Sequence, residues 1–252
     1  MSSRPVSYRQ VLEELLDIWD QAQTARTDAQ LVRDPADRIR VGVIVRGLAA
    51  HAVDCGRGVL TLYRASQPVP AIPLVRCLME DAVTAIWVHA VEDAWRSFSS
   101  DGAKSRARAL REMQELDPSD LIAGERLAET EKLLEMLGPA SGHLIQQRMQ
   151  AIEGGENWYL LYRAASAWTH AGVPIVDLYT EVDERSEIGM SARPHASFRN
   201  ASAYIALAAT YLLHTLAIWD RCQVDRPDRE RLDDLTQRLG LTSTYKARAS
   251  ST

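Results

Sequence analysis

Residues 201–219, ASAYIALAATYLLHTLAIW, run 19 positions without an Asp, Glu, Lys or Arg. Two settings accept such a segment. A bilayer takes about 20 apolar residues as one spanning helix, and the centre of a soluble bundle takes a helix that is apolar all round. Ser202, Tyr204, Thr210, Tyr211, His214 and Thr215 interrupt the run, and much of the remainder is Ala. That polar content favours a bundle centre, and no membrane span is expected.

Helical signals extend outward from this segment in both directions. Ser7 followed by Gln10 reads as a capping box, with Leu12, Leu15, Leu16 and Trp19 as one apolar stripe behind it. Asp34-Pro35 with Asp37 opens a second helix, expected to reach about Tyr63 with Ile39, Val43, Leu48, Ala52, Val59 and Leu62 as its apolar positions. Prolines 68, 70 and 73 are expected to break it and to start a third helix over about 72–90. Asp117-Pro118-Ser119-Asp120 caps a helix that stops at Gly138-Pro139. Another helix is predicted over about 158–170, and a polar one near 228–239. Residues 172–195, with Gly172, Pro174, Gly189 and Pro194 among dense charge, read as a long loop, with a short strand or hairpin over 173–182.

The fold class expected is all-α: one helical domain over 1–252, a bundle of about seven to nine helices. Its core covers about 36–222, with a polar helical insertion at 92–138 and a flexible tail at 240–252. The chain has 252 residues with 46% hydrophobic content, enough to bury a core without disulfides or a structural metal. A net charge of −5 argues against a surface devoted wholly to nucleic acid. Cys55, Cys77 and Cys222 form no CxxC and no Cys/His cluster in sequence, so neither a zinc ribbon nor a disulfide framework is expected. With no apolar signal-peptide region at Met-Ser-Ser-Arg-Pro, a cytoplasmic location is expected.

Two groups of polar residues sit where composition does not explain them. In the third helix, Arg76, Glu80, Thr84 and Trp87 share one stripe among Leu74, Val75, Leu78, Met79, Ala82, Val83 and Ile86. Arg before Glu at four residues is the weaker order for a local helix pair, so helix propensity is not the reason for it. Either the pair ties two helices together or it belongs to a polar site within the bundle. In the second group, Tyr159, Arg163, Ser166 and His170 share one face of the 158–170 segment, opposite Trp158, Leu161, Ala165 and Trp168. On a continuous helix Arg163 and His170 would differ by only ~20° in direction. A guanidinium grips phosphate oxygens bidentately, and an imidazole exchanges protons near neutral pH. The alternative is a hydrogen-bonded structural face with His170 at a helix C-terminus.

Arg76-Cys-Leu-Met-Glu80, followed by Tyr162-Arg163-Ala-Ala-Ser166-Ala-Trp-Thr-His170, resembles a bacterial all-helical family of unknown function. Its members carry an R-S-L-x-E helix and a later Y-R-x-x-S-x-x-H helix; Cys77 stands here in place of the Ser. The second motif is also similar to the Arg-x(4–6)-His signature of HEPN (higher eukaryotes and prokaryotes nucleotide-binding) domains, with Ala164 where a polar residue is common. That resemblance implies a metal-independent endoribonuclease of toxin or phage-defence type, active as a homodimer on RNA. His170 would then assist proton transfer from the ribose 2′-hydroxyl and Arg163 would stabilise charge on the phosphate, with Ser166 beside them. Arg96, Lys104, Arg106, Arg108 and Arg111 would supply a basic surface for RNA. The competing expectation is a non-catalytic module that holds a small anionic ligand or a partner protein in a pocket formed by Arg76, Glu80, Tyr159, Tyr162 and the second motif. The 172–195 loop would cover that pocket. No cofactor and no metal is expected on either reading. A helical metal site built on His51/Asp54 and His89/Glu92 is a third reading, weakened because di-iron bundles use the opposite Glu-x-x-His order.

Overall fold

The computed structural model describes residues 6–25, 30–33, 35, 37–140, 144–242 and 244–249. Ten helices and one short hairpin are present among them. The charge-free run forms α9 (Ala201–Arg221), enclosed by α1 (Tyr8–Ala25), α2 (Asp37–Arg64), α3 (Pro68–Ala90) and α10 (Arg229–Arg238). It is the one described helix long and apolar enough to cross a membrane, and most of its side chains are buried inside the bundle. At its end Asp220 is buried. That carboxylate accepts from Arg226 Nε at 3.1 Å and from the Asp228 amide at 3.0 Å, which supplies the partners a buried charge requires.

The core helices largely follow the apolar pattern. In α1, Leu12, Leu15, Leu16 and Trp19 are all buried, and Ser7 Oγ accepts from the Gln10 amide at 3.4 Å. Helix α2 is phased differently from expectation. Its buried face is Val41, Gly42, Val45, Ala49, Ala52, Val53, Gly56, Val59 and Leu60, while Val43 and Ile39 are exposed. Small residues decide the phase. A Cβ on Gly56 would lie 3.2 Å from Leu212 and 3.5 Å from Leu12, so α2 meets α1 and α9 almost backbone to side chain. Asp34 lies outside the described residues, and α2 begins two positions after Pro35, whose carbonyl accepts from the Arg38 amide at 2.8 Å.

Helix α3 starts at Pro68, four residues earlier than expected. Proline is harmless in a first turn because those amides have no helical acceptor. Only Pro73 lies inside the helix. Next, α4 (Ala94–Leu116) and α5 (Leu121–Leu137) form a hairpin that packs chiefly on itself. Asp120 caps α5 by accepting from the Ala123 amide at 2.9 Å, and Gly138, at φ +69°, ends it. The short α6 (Ile145–Gln150) and α7 (Glu156–Ala167) dock on α3.

The 172–195 segment holds the expected short hairpin, but its first part, Val173–Leu178, is a one-and-a-half-turn helix, α8, with Pro174 in its first turn. The hairpin comes after it: β1 (Thr180–Val182) pairs antiparallel with β2 (Met190–Ala192) in the register Glu181↔Ser191. The two short helices α6 and α8 carry the number past the seven to nine expected. The stretch read as a tail is tied down over its described part. Ala247 bridges Ile152, the Arg248 amide donates to Ala151 at 2.9 Å, and Tyr245 hydrogen-bonds His214.

Two measurements test this packing. A Cβ on Gly155 would overlap the Met149 carbonyl oxygen at the α6–α7 junction, whereas one on the exposed, helical Gly47 would meet nothing. Gly155→Ala is expected to lower unfolding free energy by about 1–3 kcal/mol, and Gly47→Ala to raise it by about 0.5–1 kcal/mol, both read by urea denaturation. His214 is buried, stacked on Trp158 at 6.0 Å, and burial pushes its imidazole down to about 4. An unfolded histidine titrates near ~6.5, so the unfolded chain takes the proton first as pH falls. Stability is therefore expected to drop by about 3 kcal/mol between pH 6.5 and 4 on account of this residue. His214→Phe is expected to flatten that part of the profile; equal slopes in variant and parent would contradict the assignment.

Candidate functional site

The polar stripe of α3 meets α6 and α7, and each member finds a partner there. Arg76 Nη2 lies 2.8 Å from Glu80 Oε1 and also hydrogen-bonds the Tyr162 hydroxyl, while Nε donates to Ser166 Oγ at 3.1 Å. Tyr162 donates to Glu80 Oε1 at 2.7 Å, closing a three-membered ring of Arg76, Glu80 and Tyr162. The guanidinium also lies 4.9 Å from the Tyr162 ring centroid. Ser166 Oγ in turn donates to the Tyr162 carbonyl at 2.9 Å. One and two turns further along α3, Arg148 from α6 donates to Thr84 Oγ1 at 3.0 Å and lies 5.1 Å from the Trp87 ring. The stripe is thus a continuous polar seam between α3 and two docked helices.

Charge balance at the seam follows from partial burial. Arg76 and Glu80 keep 23% and 36% of their side-chain surface, so the pair is neither a solvated surface bridge nor a fully desolvated one. Burial, and then the bond to Glu80, holds the Tyr162 phenol above its ordinary value, so it stays a neutral donor. Tyr159 stacks on Tyr162, with centroids 6.2 Å apart and planes at 19°. Aromatic contacts fix both ends of α7. Trp158 meets Tyr211 and His214 of α9, and Trp168, just past the last turn, meets Phe198 and Tyr204.

The seven residues singled out from sequence therefore divide into two groups. Arg76, Glu80, Tyr162, Ser166 and Tyr159 are brought together at the seam, half-buried. Arg163 and His170 are not drawn into it. Both are exposed, and no hydrogen bond or ion pair among the described residues engages either side chain. Their shared helical face does not exist, because α7 ends at Ala167 and His170 lies beyond it in a bend. Three residues separate Ser166 from His170, one more than the signature spacing, and Trp168 leaves the helix within that interval. Leu161, expected in the core, is exposed.

The basic stretch on α4 is partly neutralised. Arg96 pairs with Asp93 at 3.1 Å, Arg111 with Glu131 at 2.7 Å, and Lys104 donates to the Ala140 carbonyl at 2.6 Å. Arg106 and Arg108 stay exposed. His89 and Glu92 line a crevice of about 330 Å³ together with Arg38, whose Nη1 donates to the His89 carbonyl at 3.1 Å. Burial and the nearby Arg38 and Arg221 charges push the His89 imidazole down to about 4. Exposed Asp54 does not join His51, which faces Asp81 instead.

The seam generates a thermodynamic test. Arg76→Ala strands a partly buried carboxylate and phenol and is expected to cost about 1.5–3 kcal/mol. Tyr162→Phe is expected to cost about 1–2 kcal/mol. A double-mutant cycle should give a coupling of at least about 0.5 kcal/mol; additive losses would show that the two side chains do not support each other.

No curated protein and no solved structure matches the chain significantly. Residues 42–188 match a family of unknown function, DUF5677, over a span that carries α3 and α7 with Arg76, Glu80, Tyr162, Arg163, Ser166 and His170. The chain belongs to that family.

Proposed function

We propose that the protein is a HEPN-like, metal-independent endoribonuclease that acts as a homodimer, with Arg163 and His170 as its catalytic residues. The observation that carries this reading is the division within the second motif. Tyr162 and Ser166 anchor α7 to Arg76, while Arg163 and His170, from the same short stretch, stay exposed and without a partner among the described residues. An arginine and a histidine left free beside a rigid anchor suit substrate contact, because positioning needs a fixed base and free donors.

In this reading His170 takes the proton of the ribose 2′-hydroxyl as that oxygen attacks the adjacent phosphorus. Arg163 binds the non-bridging phosphate oxygens as negative charge grows on them. The 5′-oxygen departs with a proton from the imidazolium of the second copy, since one imidazole cannot serve both sides of an in-line displacement at once. The products are a 2′,3′-cyclic phosphate and a 5′-hydroxyl. Ser166 acts as a positioning residue through Arg76. The dimer is supported by exposed apolar side chains within a few residues of Arg163 and His170 in the chain: Leu160 at 73% and Val173 at 71% exposure, with Leu161 and Val176. Large apolar side chains left on a surface suit a face that another protein covers. Arg106 and Arg108 stay open for the RNA backbone.

The test is cleavage of a single-stranded RNA in excess EDTA, with end-group analysis. The parent is expected to leave cyclic phosphate ends. His170→Ala and Arg163→Ala are each expected to lose at least about 100-fold in rate, the scale of one general acid–base or oxyanion contact, with unchanged circular dichroism. Equal cleavage by parent and His170→Ala would overturn the reading. So would an inactive parent that retains a small anion in native mass spectrometry, which would favour a binding module.

A further inference from the structure

A second cluster lies on the face of α3 next to the seam, where it meets α2. His51 and Cys55 are one turn apart on α2, and Cys77 and Asp81 one turn apart on α3. His51 Nδ1 is 2.8 Å from Asp81 Oδ2, and His51 Nε2 is 3.7 Å from Cys55 Sγ. Cys77 faces the same cluster, near enough that its thiol and that of Cys55 influence each other electrostatically. Nitrogen, sulfur and oxygen donors of His51, Cys55 and Asp81 all fall within 4.8 Å of one another.

Each feature matches what a thiophilic cation requires. A carboxylate at Nδ1 fixes the tautomer with the proton on that nitrogen, leaving the Nε2 lone pair free. Protein metal sites commonly set their histidines this way. With Zn–N near 2.0–2.1 Å and Zn–S near 2.3 Å, a tetrahedral centre separates its nitrogen and sulfur ligands by about 3.6 Å. The observed 3.7 Å leaves a cation room between Nε2 and Sγ. Two thiols neutralise a divalent charge on ionising, and soft sulfur with imidazole selects zinc-type ions over magnesium or calcium. Entry is open, because the His51 side chain is 58% exposed while Cys55 and Asp81 are buried behind it.

We propose that His51 Nε2 and Cys55 Sγ bind a zinc-type divalent cation between α2 and α3, with Asp81 orienting the imidazole, Cys77 Sγ turning in as a third ligand and a fourth position open to solvent. The site does not depend on the ribonuclease reading, which needs no metal. Binding releases the thiol protons, and affinity therefore rises with pH.

Cobalt(II) titration of the full-length, reduced, EDTA-stripped protein is the direct test. One equivalent is expected to give a thiolate-to-cobalt charge-transfer band in the near ultraviolet, with tetrahedral d–d bands in the visible, and one equivalent of zinc should abolish both. The charge-transfer band is expected to weaken in Cys77→Ser and to vanish in Cys55→Ala. His51→Ala, at an exposed position that leaves packing intact, should bind at least about 10-fold more weakly, and Asp81→Asn about 10–100-fold more weakly. Absence of the charge-transfer band in the reduced parent would overturn the proposal. So would an unchanged band and affinity in His51→Ala, whatever the Cys55 variant does to folding.

Discussion

An arginine and a glutamate on a helix that is otherwise enclosed must find partners, and the architecture around α3 follows from that requirement. Val75, Leu78, Met79, Ala82, Val83 and Ile86 are fully buried against the rest of the bundle. Arg76, Glu80 and Thr84 occupy the remaining side. Leaving such groups in an apolar environment without partners costs several kcal/mol, more than a large fraction of a domain's net stability. The requirement is met by bringing α6 and α7 onto that side with Arg148, Tyr162 and Ser166 in reach. Helix α7 buries only Ala165 fully. Its rotation is therefore set by hydrogen bonds and by aromatic contacts at its two ends rather than by apolar area. That rotation leaves Arg163 outward.

The molecule thus separates stability from presentation. Helices α1, α2, α3 and α9 hold the apolar core, with Gly56 permitting close approach of α2. The α4–α5 hairpin stands largely on its own contacts, and α7, α8 and the β-hairpin form an outer layer with many exposed apolar side chains. Low contact density and surface apolar groups suit segments that bind or move, because their local opening costs less than unfolding the core.

Much of this was legible in the sequence, for definite reasons. Helix α9 announced itself because charge ends abruptly before Ala201 and returns at Asp220. The stripe Arg76, Glu80, Thr84 and Trp87 stood out because polar residues at helical spacing contrast with apolar neighbours. The phase of α2 is hard to read, because Gly42, Ala49, Ala52 and Gly56 share its buried face with Val41, Val45, Val53, Val59 and Leu60, while the equally apolar Val43 and Ile39 face outward. Prolines 68 and 70 signalled a break although a first turn accepts them. His170 reads as helical from sequence because nothing local marks Trp168 as leaving the helix to join Phe198 and Tyr204. The His51–Cys55–Asp81 cluster had only its i,i+4 spacing as a signal, and Asp81 joins through the register in which α2 docks on α3. No local pattern encodes that register.

The central claim is that α7, pinned at its ends by Trp158 and Trp168, depends on the Arg76 network along its length to stay in place. Hydrogen exchange by mass spectrometry on Arg76→Ala against the parent tests it most directly. The account predicts that amides of residues 156–167 lose protection by at least about 10-fold, as expected for about 1.4 kcal/mol of local stability, while those of α3 and α9 keep theirs. Unchanged protection across α7, or a uniform loss over all helices, would contradict it.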